Sequence, residues 1–482
     1  MKSVRFIAAV VILLNAGVAA ADCGNAKLHV GAGLQHARAG RFADAERELR
    51  RAIAVAERLP APREDLGSAF NQLGALYREQ ARYTDADAAY RRALAALERA
   101  GSGTHLAIAQ TLIGLGHVAR DLGRHGEADS LYRRAEIALE RRRRPDPVLL
   151  ATIAQDRATL ARVQGRFTDA ESLYRRALDV LERARGAEIP LAATLQGIGA
   201  LAREQGRFAE AAVASERALA IAERAAGPDH PMTGWAVTNL AAVVRERGRT
   251  ADAAALYRRA LAIFERRYSS ADHPAVGWAY QGQATVARDA GELDAAEAAA
   301  TRALRIFERT LPARHAAIAA VHVSLAAVDR ARGRAGDAER RARHAGAVFT
   351  DALGAQHPST AWARGMAAGA LREQGRLGEA SGEYSAAIAA IEAVHGPRHP
   401  ALGVLWRGQA AIAALEQRVD DADRLFRRAL LMQEAAYEPT HPELVRTRDA
   451  FVTHLRTTGR HGDAAAVGAR SRERAAAAER YD

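Results

Sequence analysis

Apolar residues recur at separations of three and four along most of the chain. In QGRFTDAESLYRRALDVLER they fall at Phe167, Ala170, Leu173, Tyr174, Ala177, Leu178 and Leu181, one stripe of an amphipathic helix. The stretch FNQLGALYREQ carries the same spacing at Phe70, Leu73, Gly74 and Tyr77, and predicts a different helix lying upstream of the first kind. Its small position is kept in the counterparts Gly116, Gly199, Ala241, Ala284 and Ala326. Between the two helices stands a glycine, the residue that most readily takes the positive φ that ends a helix. An acid such as Asp44, Asp169, Glu210 or Asp252 follows it, placed to oppose the positive end of the next helix dipole.

This pair of helices returns at a step of 41 to 43 residues, anchored at Gly40, Ala81, Gly123, Gly165, Gly206, Gly248, Gly291, Gly333, Gly375, Gln417 and Gly459. Every anchor is followed five places on by alanine, from Ala45 to Ala464. A fixed period in this range marks a solenoid, whose units cannot bury their apolar faces alone and stack on their neighbours. The chain therefore reads as an all-α superhelix of about eleven helix-turn-helix units over residues 22–482, with atypical first and last units.

Position by position, Leu73, Gly74, Tyr77, Ala81, Ala86, Tyr90 and Ala93 carry a pattern that resembles the tetratricopeptide repeat family, in its longer kinesin-light-chain-like form. It returns as Ile198, Gly199, Ala202, Gly206, Ala211, Ser215 and Ala218. Arg157 and Gln283 depart from it where an apolar residue is expected, as does Ala342 where tyrosine is usual; these predict locally weaker packing. The resemblance implies that the first helices of the units line a concave groove. It also implies a role in binding a protein or peptide, with no cofactor.

Two sets of residues recur in phase and would lie on that groove. Three places before the anchors stand Arg78, Arg120, Arg162, Arg203, Arg245, Arg288, Arg330 and Arg372, and, after an interruption at Ala414, Arg456. Arginine binds carboxylates through two parallel hydrogen bonds and holds its charge at any relevant pH. Each could instead pair with a nearby acid, from Glu79, Asp121, Glu204, Glu246, Asp289 and Glu373. Thirteen places before their anchors stand Trp235, Trp278 and Trp362, in a residue class enriched at binding hot spots; the alternative is that they fill space between first helices. Trp406 is two places out of phase and reads as core.

Histidine looks chemical but is periodic. His105, His230, His273, His315, His357, His399 and His441 each lie 18 residues before an anchor, and five of them precede proline. Proline suits the first turn of a helix, so the pair marks the entry to each first helix, and neither catalytic nor metal-ligating residues are assigned. No G-x-S-x-G elbow, Walker lysine loop, H-E-x-x-H helix or pair of cysteines occurs, which argues against the enzyme class.

Charge and the N-terminus suggest a setting. Lys2 and Arg5 precede the apolar run Phe6 to Leu14 and the small residues Ala19 to Ala21, which predicts a cleaved secretory signal over residues 1–21 and an exported, periplasmic or secreted, protein. Asp22 beside Cys23 opposes a lipoprotein, an uncleaved anchor being the other alternative, and a single cysteine allows no internal disulfide. The run is short for a membrane span, so the mature chain is expected to have none. Lysine occurs only as Lys2 and Lys27, and this arginine and alanine bias points to a high-GC bacterial origin. Cleavage takes two charges from a formal net +12, and what remains attracts anions, so an acidic protein or peptide partner is expected. Anionic envelope polymers are the second reading. No basic segment has the interleaved aromatics of a nucleic-acid binder, and self-association is left open.

Overall fold

The computed structural model describes residues 24–58, 64–101, 103–268 and 272–478, with side chains up to 470. The expected signal segment, with Lys2, Arg5 and Cys23, lies outside them. Among the described residues all regular structure is helical. The chain divides into two compact units, up to Leu160 and from Ala161 onward.

The first unit holds α1 (24–38), α2 (Phe42–Ala56), α3 (Glu64–Glu79), α4 (Tyr83–Ala100), α5 (His105–Asp121) and α6 (His125–Glu140), and most of α7 (Pro147–Val163). The run Arg141 to Arg144 follows the end of α6. The second continues with α8 (Phe167–Leu181), α9 (Glu188–Glu204), α10 (Phe208–Ala226), α11 (Pro231–Glu246), α12 (Thr250–Arg267), α13 (Pro274–Asp289) and α14 (Leu293–Thr310). Then come α15 (Ala316–Ala331), α16 (Ala335–Leu353), α17 (Pro358–Glu373), α18 (Leu377–His395), α19 (Ala401–Leu415), α20 (Val419–Ala436), α21 (Pro442–Thr457) and α22 (His461–Ala478). From α2 to α6 in the first unit and from α8 to α22 in the second each helix packs on the next, and odd-numbered helices also pack on odd-numbered ones, as α3 does on α5 and α9 on α11. Within each unit the first helices of successive repeats therefore form an inner layer, with the second helices outside it.

The repeat marks work as local physics requires. All eleven anchors adopt positive φ, including Ala81 at 57° and Gln417 at 61°, where a side chain is strained. The eleven alanines that follow them are 0 to 3 % exposed, at the closest approach of paired helices. The arginine after most anchors stands at the N-cap position of the second helix, where its side chain makes no cap bond, and donates to the acid in the first turn, as Arg82 does to Asp85 at 2.7 Å and Arg249 to Asp252 at 2.8 Å. Several of these arginines also reach back one repeat, Arg82 to Glu46 and Arg376 to Glu339, each at 2.8 Å. Tyrosines of the second helices lie against glycines of the first: a methyl added at Gly282 would stand 2.0 Å from the Tyr257 ring. Of the departures, Arg157 pairs with Glu136 at 2.8 Å, Gln283 is half-buried, and Ala342 is fully buried.

The recurrent histidines cap the first helices with their own side chains. Nδ1 accepts a backbone N–H two residues on at His230, His273, His315, His357, His399 and His441, over 3.1 to 3.3 Å. His105 differs, being the first residue of α5 behind Thr104.

Within the second unit the helices coil far enough to meet themselves. His357 Nε2 lies 3.0 Å from the Val163 carbonyl oxygen, and His399 Nε2 lies 2.9 Å from that of Glu204. Phe167 stacks on His395 at 4.9 Å and Phe208 on Tyr437 at 5.6 Å, while Arg247 bonds Glu438 at 3.0 Å. Pro400 crowds Gly206, and the His441 backbone crowds Gly248. Each Gly-Arg turn in this seam thus meets the His-Pro corner of the unit five further on.

Candidate functional site

The arginine row lies on the first helices, and its members from Arg78 to Arg372 have acidic partners. In the first unit Arg78 Nε donates to Asp121 Oδ2 at 2.7 Å, and Arg120 reaches Asp121 at 3.1 Å and Asp156 at 3.6 Å. Asp156 also holds His117 at 2.8 Å. Burial pushes the Asp121 carboxyl up, but Arg78 and Arg120 outweigh it and hold it well below the usual range. In the second unit Arg162 pairs with Glu204, and Arg203 lies 3.6 Å from Glu204 and 4.0 Å from Glu246. Arg245 pairs with Glu246 and, at 3.0 Å, with Asp289, which Arg288 also holds at 2.6 Å. Arg330 and Arg372 share Glu373 at 2.6 and 3.4 Å. The row is therefore a stagger: an acid beside one arginine also serves the arginine of the unit before it.

Continuity depends on one position, the residue after each arginine. It is acidic at Glu79, Asp121, Glu204, Glu246, Asp289 and Glu373, but Val163, Ala331, Leu415 and Thr457 interrupt it. Ala331 and Leu415 flank Glu373, so positive charge is least compensated around α17 and α19. There the inner layer opens a cavity of about 240 Å³, lined by Arg330, Arg372, Arg407, Arg446, Trp362, Met366 and Tyr384 among others.

The cavity wall is itself organised. Arg330 bonds Glu373 and sets its Nη1 3.5 Å from Met366 Sδ, and a methyl at Gly369 would strike its guanidinium at 2.5 Å. Arg407 donates to Glu443 Oε2 at 2.8 Å, to the Glu443 carbonyl at 3.2 Å and to Thr447 Oγ1 at 3.1 Å; Arg446 pairs with the same carboxylate. Burial raises the Glu443 carboxyl, and Arg407 and Arg446 more than offset this, keeping it ionised. Four guanidinium groups thus face two carboxylates beside an indole and a phenol. Such a wall can hold an anionic group by charge-assisted hydrogen bonds while an apolar neighbour rests on the rings.

The three tryptophans divide. Trp362 packs on the cluster around Phe349 and lines the cavity. Trp235 and Trp278 are half-buried and tilt against Phe264 at 5.2 Å and Phe307 at 5.1 Å. Trp406 is 1 % exposed in the core. The cavity residues Arg407, Arg446 and Tyr384 were not among the sequence candidates. Arg446 stands 13 places before its anchor, the phase of the tryptophans, and that register would have found it. Among the described residues no three His, Cys, Asp or Glu side chains gather as a metal site requires, and no helix is long and apolar enough to cross a membrane.

Comparison with known proteins places this architecture. No curated protein sequence matches the chain. Of solved structures, a Rap protein complexed with competence and sporulation factor is 13 % identical, covers 76 % of this chain and 97 % of its own, and superposes with a TM-score of 0.58. BtubC from P. vanneervenii is 23 % identical over 50 % of this chain and 91 % of its own, TM-score 0.36. A Podosopora anserina protein described as a kinesin light chain with nearly identical repeats is 20 % identical over 44 % of this chain and 98 % of its own, TM-score 0.34. The tetratricopeptide repeat profile matches residues 25–99, 65–141, 149–223 and 190–266, and a second profile of that description matches 360–401. With more than half of the sequence so matched and the described residues folded as successive helical pairs, the chain belongs to the tetratricopeptide repeat family.

Proposed function

We propose that this protein is an exported, non-enzymatic scaffold that binds an acidic protein or peptide segment on its inner layer, with the cavity at Trp362 as the principal contact. The observation that carries the reading is the surplus of guanidinium over carboxylate in that cavity, beside Trp362 and Tyr384. Arginine and large aromatics are the side chains that most often dominate binding energy at interfaces. Elsewhere along the row the arginines are matched by acids of the same chain, so the cavity and not the whole ladder supplies the affinity.

The test is fluorescence anisotropy with the purified full chain, using a labelled oligoglutamate peptide and its oligoglutamine counterpart at low and high salt. The acidic peptide should bind in preference, and Arg372→Gln with Arg446→Gln should weaken it about tenfold, a loss near 1.4 kcal/mol. Equal binding of both peptides, or an unchanged affinity in the variant, would overturn the assignment. Stronger binding of a soluble anionic polysaccharide than of any peptide would favour the envelope-polymer reading instead. Export is tested by cell fractionation: deletion of residues 1–21 should leave the chain in the cytoplasm.

A further inference from the structure

The seam within the second unit touches the cavity's own supports. The three first helices that contribute most of the cavity wall are α17, α19 and α21, carrying Trp362, Arg372, Arg407 and Arg446. Each begins at a corner of the seam: His357 against Val163, His399 against Glu204, and His441 against Gly248. Anything that loosens the corners therefore frees the N-terminal ends of the helices that shape the cavity.

The chemistry of the corners makes them sensitive to protons. At His357 and His399, Nδ1 accepts the capping N–H of Ser359 or Ala401, while Nε2 faces a carbonyl oxygen and must donate. Both nitrogens are satisfied only in the neutral Nε2–H tautomer; a proton on Nδ1 would confront a donor and remove the cap. His395 is packed between them, stacked at 4.2 Å on His399 and at 4.9 Å on Phe167, with a buried Nδ1 that has no hydrogen-bond partner among the described residues. The charged groups facing the corners are Glu204 toward His357 and Glu246 toward His399. Toward His441 they are Glu246, Glu443, Asp289 and Arg245. The acids favour uptake of a proton, but burial opposes it more strongly at every corner, and His357 and His399 add to that opposition at His395.

We infer that the corners at His357, His395 and His399 form an acid-released latch that holds successive coils of the second unit together and thereby sets the shape of the cavity. The latch stands on the seam geometry alone; only its consequence for ligand binding rests on the function proposed above. In neutral conditions the imidazoles cap α17 and α19 and tie them to the ends of α7 and α9. On protonation Nδ1 becomes a donor facing the capping N–H, so the caps of α17 and α19 are lost; Nε2–H still donates to the carbonyl oxygens, but imidazolium charge is left buried where the His395 and His399 rings stack at 4.2 Å, and the coils separate while the helices persist.

Distances between spin labels test this directly. In a Cys23→Ser background, labels at Thr168→Cys and Arg398→Cys, both exposed positions on either side of the seam, report its opening in the full chain. The distance should be short and narrowly distributed at about pH 7.5 and should lengthen by several ångströms at about pH 4.5, with helix content by circular dichroism retained. His357→Asn with His399→Asn keeps side chains that can cap a helix but removes the reach of Nε2, so this variant should already be open at neutral pH and show no further response. A wild-type distance that does not change with pH, or that lengthens only as helix content falls, overturns the latch, as does a folded variant that stays closed. None of these readings involves a ligand, so the latch can fail while the acidic-peptide reading stands, and the reverse.

Discussion

Two glycine-to-alanine substitutions separate the two roles that glycine plays in these helices. Gly282 lies in α13 and Gly382 in α18, and replacing either inside a helix gains about 1 kcal/mol of propensity. Their surroundings differ. A methyl at Gly382 meets no heavy atom within 4 Å, so that gain should appear nearly whole, about 0.5–1 kcal/mol of added stability. At Gly282 the methyl would stand 2.0, 2.4 and 2.5 Å from three atoms of the Tyr257 ring, where ordinary contact begins at 3.4 Å. The ring is 4 % exposed and cannot swing away, so the substitution should incur the usual cost of overpacking, about 1–3 kcal/mol, and end net destabilising by roughly 1 kcal/mol. Urea denaturation followed by circular dichroism should move the two midpoints in opposite directions. Movement in the same direction by a similar amount would refute the claim that the small position exists to admit the tyrosine of the preceding unit.

Other substitutions probe the turns, the buried pairs and the histidines. Gln417→Gly relieves the one glutamine held at positive φ and should stabilise by about 0.5–1 kcal/mol in thermal melts. Ala253→Leu, at a fully buried contact between paired helices, should cost about 1–3 kcal/mol by the same measurement; a neutral result would count against that close approach. Asp121→Asn leaves Arg78 and Arg120 facing each other without their shared carboxylate, and should lower stability by about 2 kcal/mol, with Asp121→Leu plus Arg78→Met recovering part of the loss. Stability should fall as pH drops below the usual imidazole value of about 6.5, because His322 and His395 are held down to about 4 and about 3 in the folded chain. Through that window the unfolded chain binds more protons than the folded one, so acid favours unfolding; a urea midpoint flat between about pH 7 and pH 4 would contradict it.

What could be read from the sequence followed from how local each feature is. The glycine at each turn, the buried alanine five places on and the histidine at each helix entry act within a few residues, and their phase alone gave two helices per unit. The capping role of the histidine was less visible, since the adjacent proline was sufficient reason for a helix start. The ion pairs of the arginine row span one unit, and the acid beside six of the arginines made them foreseeable as an alternative. Arg407 was hidden because it occupies a phase where other units carry different residues. The seam was beyond reach: it depends on how much each unit rotates against the next, accumulated over some 195 residues, and no single unit encodes that sum.

Because any Gly-Arg turn presents the same backbone edge and the corners at 357, 399 and 441 share one His-Pro design, the seam joins interchangeable parts. A gene that lost or duplicated one whole period between the two sides would bring different corners opposite different turns, yet the coils would still find partners; only the number of joined pairs would change. Loss of half a period would set turns against helix flanks and abolish the fit. Growth and shrinkage of this protein are thus quantised, with the period as the smallest edit that the coil can absorb.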